Sequence, residues 1–175
     1  MLERDRTALV VVDVQEAFRP GVDRFDEVAR GAGALVQAAH IMGLPVLVTE
    51  QYPQGLGATV PEVAGHLGDT EPLPKTVFSG ASADGFDLGG RDQVLICGIE
   101  THVCVYQTAA ELLSDGVEVH VAEDAVSSRS ALNRDVGLRK MAALGAKATS
   151  VETSLFEMLG RAGTDEFKQV QGLVK

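Results

Sequence analysis

The sequence predicts an α/β protein of three layers, with a parallel sheet covered by helices on both faces. Three observations carry that expectation. Short apolar runs alternate with helical patterns along the chain, and Gly43, Gly116 and Gly145 each close a helical pattern just before the next run. The first run, Ala8–Val14, is apolar without alternation, as a strand buried on both faces must be. That strand carries one carboxylate, Asp13, at its carboxyl end. A helix is expected over Glu27–Met42 and a second strand over Pro45–Thr49. Thr49–Leu73 is rich in Gly and Pro and is the longest irregular stretch; such loops in compact domains tend to carry function. Lys75–Phe78 is a weaker strand candidate. Further on, strands are expected at Gln93–Gly98, Val117–Ala122 and Ala146–Val151, with helices at Val103–Ser114, Ala131–Leu144 and Leu155–Leu159. Thr164–Lys175 has acids early and apolar residues at Phe167, Val170 and Leu173–Val174, which suits a short helix against the body.

The 175 residues suit one domain, residues 1–175, able to bury about 70% of its extended surface around a single core. No repeat or low-complexity linker divides it. Asp and Glu number 25 against 15 Lys and Arg, and the net charge of −10 disfavours nucleic acid and anionic membranes as partners. No signal pattern marks the termini and no apolar run approaches the ~20 residues that cross a bilayer, so the expectation is a cytosolic protein without a membrane partner. Cys97 and Cys104 are the two cysteines, and their spacing matches neither a CxxC redox motif nor a zinc pair. Cys97 lies inside an apolar strand and reads as a small core residue.

Cys104 reads differently. The segment Leu95-Ile-Cys-Gly-Ile-Glu-Thr-His-Val-Cys104 is a strand that ends in a glycine turn and delivers a cysteine to the first turn of a helix. Unpaired N–H groups and the helix dipole at such a position favour a thiolate, so a lowered pKa is expected. Two residues offer themselves as partners. Asp13 sits where open parallel sheets place their ligands, and Lys75 is the only lysine before Lys140 in a chain that otherwise prefers arginine. The competing readings are that Asp13 caps a helix starting near Glu16, that Lys75 is a solvated loop residue, and that His102 partners the cysteine.

Val12-Asp13-Val14-Gln15, Lys75 and Gly98-Ile-Glu-Thr-His-Val-Cys104, in that order and spacing, resemble the isochorismatase-like cysteine hydrolases. Thr49-Glu-Gln-Tyr-Pro-Gln-Gly-Leu-Gly57, Thr59-Val-Pro-Glu62 and Asp124-Ala-Val-Ser-Ser-Arg-Ser130 resemble the branch called isochorismatase domain-containing proteins. The resemblance spans nearly the whole chain. It implies six parallel strands in the order 3-2-1-4-5-6, an Asp13–Lys75–Cys104 triad and a non-proline cis peptide at Ile99–Glu100. It also implies a homo-oligomer, with the helix near Gln107–Leu113 or the Ser127–Asn133 segment as candidate contacts.

The expected chemistry is hydrolysis of a C–N bond in a small amide through a thioester. Asp13 acts as general base, Lys75 holds it in register with the sulfur, and Cys104 N–H with the amide turned by Ile99–Glu100 receives the oxyanion. Phe18, Tyr52, Phe78 and Val103 are candidate substrate contacts. Nicotinamidases of the family carry an Asp-x-His metal motif after the second strand. Here Thr49-Glu50-Gln51-Tyr52-Pro53 stands there, with no histidine until His66, so no catalytic metal is expected. His40 and His120 read as structural and the serines of Ser127–Ser130 as caps. Gly31-Ala-Gly33 follows no strand, so no dinucleotide cofactor is expected either. Two rival readings stay open: a vinyl-ether hydrolase that works without the thiol, and a thiol-sensing scaffold that turns nothing over.

Overall fold

Strand β1, Thr7–Val12, has every residue buried, and its side chains alternate between two apolar cores. Leu9 and Val11 enter one with the apolar stripe of helix α1, Phe25–Met42. Ala8, Val10 and Val12 enter the other, with Val105, Ala109 and Met141. The computed structural model describes residues 1–175, and its sheet has six parallel strands in the order β3-β2-β1-β4-β5-β6. The remaining strands are β2 Val46–Gln51, β3 Leu73–Lys75, β4 Gln93–Ile99, β5 Glu118–Ser127 and β6 Lys147–Thr149. Three layers and this strand order are the expected architecture.

Short helices α2, Pro53–Leu56, and α3, Pro61–Ala64, bridge β2 to β3. On the first face α1 lies with α6, Val151–Leu159, and α7, Asp165–Gly172. On the second lie α4, Tyr106–Ser114, and α5, Ala131–Ala143. The chain therefore winds outward from β1 over one face and outward from β4 over the other. Crossovers of one hand leave a cleft at the carboxyl ends of β1 and β4.

The boundaries differ in instructive ways. β3 ends at Lys75, where Lys75–Phe78 was expected; Pro74 suits this edge strand, and the chain then bends so that Val77 and Phe78 turn their carbonyls toward the Lys75 amine. β6 stops at Thr149 and α6 begins at Val151, four residues before the expected Leu155. Ser150 Oγ accepts from Thr153 N–H at 3.1 Å, and Asp124 Oδ1 accepts from Val151 N–H at 2.8 Å. β5 runs on past Ala122 to Ser127, because Ala125, Val126 and Ser127 are buried again after the charged pair Glu123-Asp124. α7 forms as expected, capped by Thr164. Ahead of α4, Thr101–Val105 is a π-helical turn in which Val105 N–H reaches Glu100 O at 3.2 Å.

Candidate active site

The carboxyl ends of four strands supply the site. Asp13 follows β1 in a left-handed conformation, φ 52°, and is fully buried. Lys75 ends β3 and is 5% exposed. Cys104 sits in the π-turn after β4, also 5% exposed. The structure brings these three expected residues together and adds a fourth, Gln51, at the end of β2.

Lys75 Nζ donates to Asp13 Oδ2 at 2.7 Å and to Gln51 Oε1 at 2.7 Å, with Phe78 O at 3.1 Å and Val77 O at 3.3 Å. Everything around the nitrogen is an acceptor, which suits an ammonium with three donors. The second carboxylate oxygen of Asp13 accepts from Thr49 Oγ1 at 2.6 Å. Cys104 Sγ lies 3.9 Å from Gln51 Oε1, so one amide oxygen faces both the ammonium and the thiol. Gln51 Nε2 donates to Thr76 O at 3.0 Å, which fixes which end of the amide points inward. Gln15 clasps the same strand end: its Oε1 accepts from Gln51 N–H, and its Nε2 donates to Gln51 O and Gly57 O.

Sequence reasoning gave no role to Gln15, Thr49 or Gln51. The signal was spacing: Thr49 and Gln51 lie two residues apart on β2 and share a face of that strand, and Asp13 and Gln15 stand two apart just beyond β1. Parallel register then sets Val12 opposite Thr49 and Gln51 opposite Lys75.

The thiol departs from expectation. Burial pushes Cys104 up to about 12, the Asp13 charge adds to this, and Lys75 opposes it. A helix dipole is worth about 0.3–1 kcal/mol at an exposed terminus, whereas a rise of that size stands for roughly 4 kcal/mol against the thiolate. Burial and the Asp13 charge together favour the thiol over the thiolate. Cys97 is fully buried among the α1-face residues, and burial raises its thiol further.

Two glycines allow the backbone approaches that hold the site. A Cβ on Gly98, φ 118°, would stand 2.1 Å from Val12 O, and one on Gly137 of α5 would stand 2.7 Å from Thr101 O. The first lets β4 close against β1, and the second lets α5 press on the turn that carries Cys104. The Ile99–Glu100 peptide is cis. Glu100 O accepts from Val103 N–H and Val105 N–H, and the Glu100 carboxylate binds Arg129. His102 turns to Ser128, with Nδ1 3.0 Å from Oγ, and takes no place among the Cys104 partners. Gln15, not Asp13, precedes the short 3₁₀ turn Glu16–Phe18.

The four expected substrate contacts separate. Phe18 lines a cavity with Leu56 and Glu100, whereas Tyr52 and Phe78 are 53% and 52% exposed and line no part of it. Val103 is half-buried against the second core. Of the two candidate subunit contacts, Ala109 and Leu112 of the first and Ser127–Ser128 of the second are committed to the body, leaving Leu132 exposed. No three His, Cys, Asp or Glu side chains converge; Glu50 instead accepts from Thr59 N–H and Oγ1.

A family model described as the isochorismatase domain matches residues 7–153. Isochorismatase domain-containing protein 2A of Mus musculus is 39% identical over 174 residues, covering 98% of this chain and 84% of its own. A secreted isochorismatase effector, Isc1, of Phytophthora sojae is 40% identical, covering 97% of this chain and 84% of its own. Among solved structures, one titled MAR1 ribonuclease from Caenorhabditis elegans superposes with a TM-score of 0.92 at 38% identity, covering 99% of this chain and 91% of that one.

Proposed function

The chain belongs to the isochorismatase domain family, and from that membership we propose that it is a cysteine-dependent hydrolase cleaving the C–N bond of a small amide. One observation carries the reading: Asp13, Lys75, Gln51 and Cys104 form an unbroken buried chain of contacts at the sheet's switch point.

Asp13 takes the Cys104 proton as the sulfur attacks the amide carbon, so no free thiolate accumulates in the resting enzyme. The backbone N–H of Cys104 in the π-turn receives the oxyanion, as does the amide beside Ile99–Glu100. The C–N bond breaks as Asp13 returns the proton to the leaving amine. Water, deprotonated by Asp13, then attacks the thioester carbonyl, and the sulfur leaves as a thiol with that proton. Lys75 remains an ammonium throughout, fixing the carboxylate.

Ammonia release from a panel of small primary amides tests this, with intact mass to trap the acyl-enzyme. Turnover should vanish in Cys104→Ala, Asp13→Asn and Lys75→Met. Turnover that survives Cys104→Ala would overturn the thioester route in favour of vinyl-ether or other thiol-free hydrolysis. The ribonuclease name of the nematode protein suggests RNA as substrate, but a net charge of −10 leaves little to neutralise phosphates. No helix is long and apolar enough to cross a membrane. A cytosolic homo-oligomer completes the proposal, supported by half-exposed Tyr52, Val77 and Phe78 on the rim above Lys75; sedimentation would reveal a monomer if it is wrong.

A further inference from the structure

The residues after β3 reach the supports of all three proposed triad members. No helix or strand forms between Lys75 and Gln93, so this stretch is held by individual bonds. Val77 O and Phe78 O accept from Lys75 Nζ. Gly80, two residues on, is seated between two fully buried threonines: a Cβ there would stand 3.1 Å from Thr49 Cγ2 and 3.2 Å from Thr108 Oγ1. Thr49 Oγ1 donates to Asp13, and Thr108, in the first turn of α4, reaches back to Cys104.

Thr108 Oγ1 donates to Cys104 O at 2.7 Å and accepts from Gly80 N–H at 2.7 Å. A threonine hydroxyl that bonds back to the carbonyl four residues earlier is a common way to satisfy a buried group within a helix. That local habit accounts for the donated bond alone. The accepted bond comes from a main-chain N–H 28 residues away in sequence, on the segment that collars the Lys75 ammonium. One hydroxyl therefore joins the main chain of the thiol to the main chain behind the ammonium. Valine would fill nearly the same volume and leave the Gly80 N–H, which is buried, without an acceptor. The sulfur needs such a fixture, because Sγ itself makes a loose contact, 3.9 Å to Gln51 Oε1, and its place is set by the backbone that carries it.

We propose that Thr108 is a positioning residue: its hydroxyl clips the Cys104 main chain to the collar around Lys75 and so sets the separation of the sulfur from Asp13 and Lys75. The catalytic consequence rests on the hydrolase reading above. Cys104 and Lys75 stand on different strand ends, and Thr108 and Gly80 join them without passing through the sheet. A displacement of about 1 Å at reacting atoms can cost roughly 100-fold in rate, so a clip at this point governs turnover without touching substrate.

A double-substitution cycle on Cys104 alkylation by iodoacetamide tests the clip without turnover. Asp13→Asn removes a like charge beside the thiol and should speed alkylation several-fold in the otherwise wild-type protein. In Thr108→Val the same change should have less than about a twofold effect, because the sulfur is no longer held in range of the carboxylate. Thr108→Ser keeps the hydroxyl and should restore the full effect. On an amide that the wild type turns over, Thr108→Val should lower kcat about tenfold or more with KM nearly unchanged, and Thr108→Ser should stay within about threefold of wild type. Gly80→Ala leaves the hydroxyl in place but wedges the segment against Thr49 and Thr108; it should weaken the Asp13 effect in the same direction, and it carries the test if Thr108→Val does not fold. A merely structural Thr108 would lower the urea midpoint and leave the Asp13 effect at its wild-type size. That result, a serine variant that restores nothing, or a wild type in which Asp13→Asn has no effect overturns the proposal. If no amide is hydrolysed but the Asp13 effect follows the Thr108 hydroxyl, the hydrolase reading falls and the positioning role stands.

Discussion

Replacing Asp13 by asparagine should make Cys104 easier to alkylate while abolishing amide turnover. Burial raises the thiol first and the Asp13 charge second, to about 12, and Lys75 pulls the other way. Asparagine removes the like charge and leaves the Lys75 ammonium, now 2.7 Å from a neutral group, free to favour the thiolate. A charge within about 4–6 Å displaces a pKa by roughly 1–3 pH units. Each unit gives tenfold more thiolate, offset by about threefold lower nucleophilicity, so alkylation should accelerate about 3- to 30-fold. The rate is followed by peptide mass spectrometry from neutral to mildly alkaline pH; cleavage after Glu100 separates Cys104 from the buried Cys97, which serves as the inert control. Lys75→Met should shift the profile in the opposite direction. A wild-type rate that already levels off near neutral pH, or an Asp13→Asn rate at or below wild type, would refute the account of a thiol held neutral by burial and charge.

Gln51→Leu removes the acceptor shared by Lys75 and Cys104; kcat on an identified amide should fall about 10- to 100-fold with KM nearly unchanged, and a loss confined to KM would make Gln51 a substrate contact instead. Gly137→Ala drives a Cβ to within 2.7 Å of Thr101 O and should cost about 1–3 kcal/mol in urea unfolding. An unchanged midpoint would mean that α5 gives way freely. Lys147 and His120 hold the Glu118 carboxyl at about 2, below its ordinary 4.5, so the stability it confers is complete above pH 4.5 and is lost as pH falls toward 2. Glu118→Gln should flatten that part of the acid unfolding curve; an unaltered curve would show that the cluster does not stabilise the fold.

The cluster of Asp13, Lys75 and Cys104 was legible because each residue is out of place where it stands. Asp13 interrupts the end of an apolar run, Lys75 is a lysine among arginines, and Cys104 follows a glycine turn. Gln51 carries no such mark. A neutral amide bonds with almost anything, and its role exists only once β2 and β3 pair in register. The raised pKa of Cys104 is hidden from the sequence for a related reason: a position early in a helix is visible there, but exclusion from water is not, and here exclusion is the larger effect. The strand pattern was legible from apolar runs, while the extension of β5 past Glu123-Asp124 was hidden by two charges that lie along the strand without ending it.

Strand β3 is three residues long, lies at the sheet's edge and holds Lys75, a member of the proposed triad. The central strands of both cores can therefore persist while this edge detaches, because β1, β4 and β5 do not depend on it for their pairing. Catalysis and folding then have different melting points: heating should extinguish turnover through fraying of Leu73–Lys75 several degrees before the circular dichroism of the body changes. The outermost strand is in this sense the fuse of the proposed enzyme.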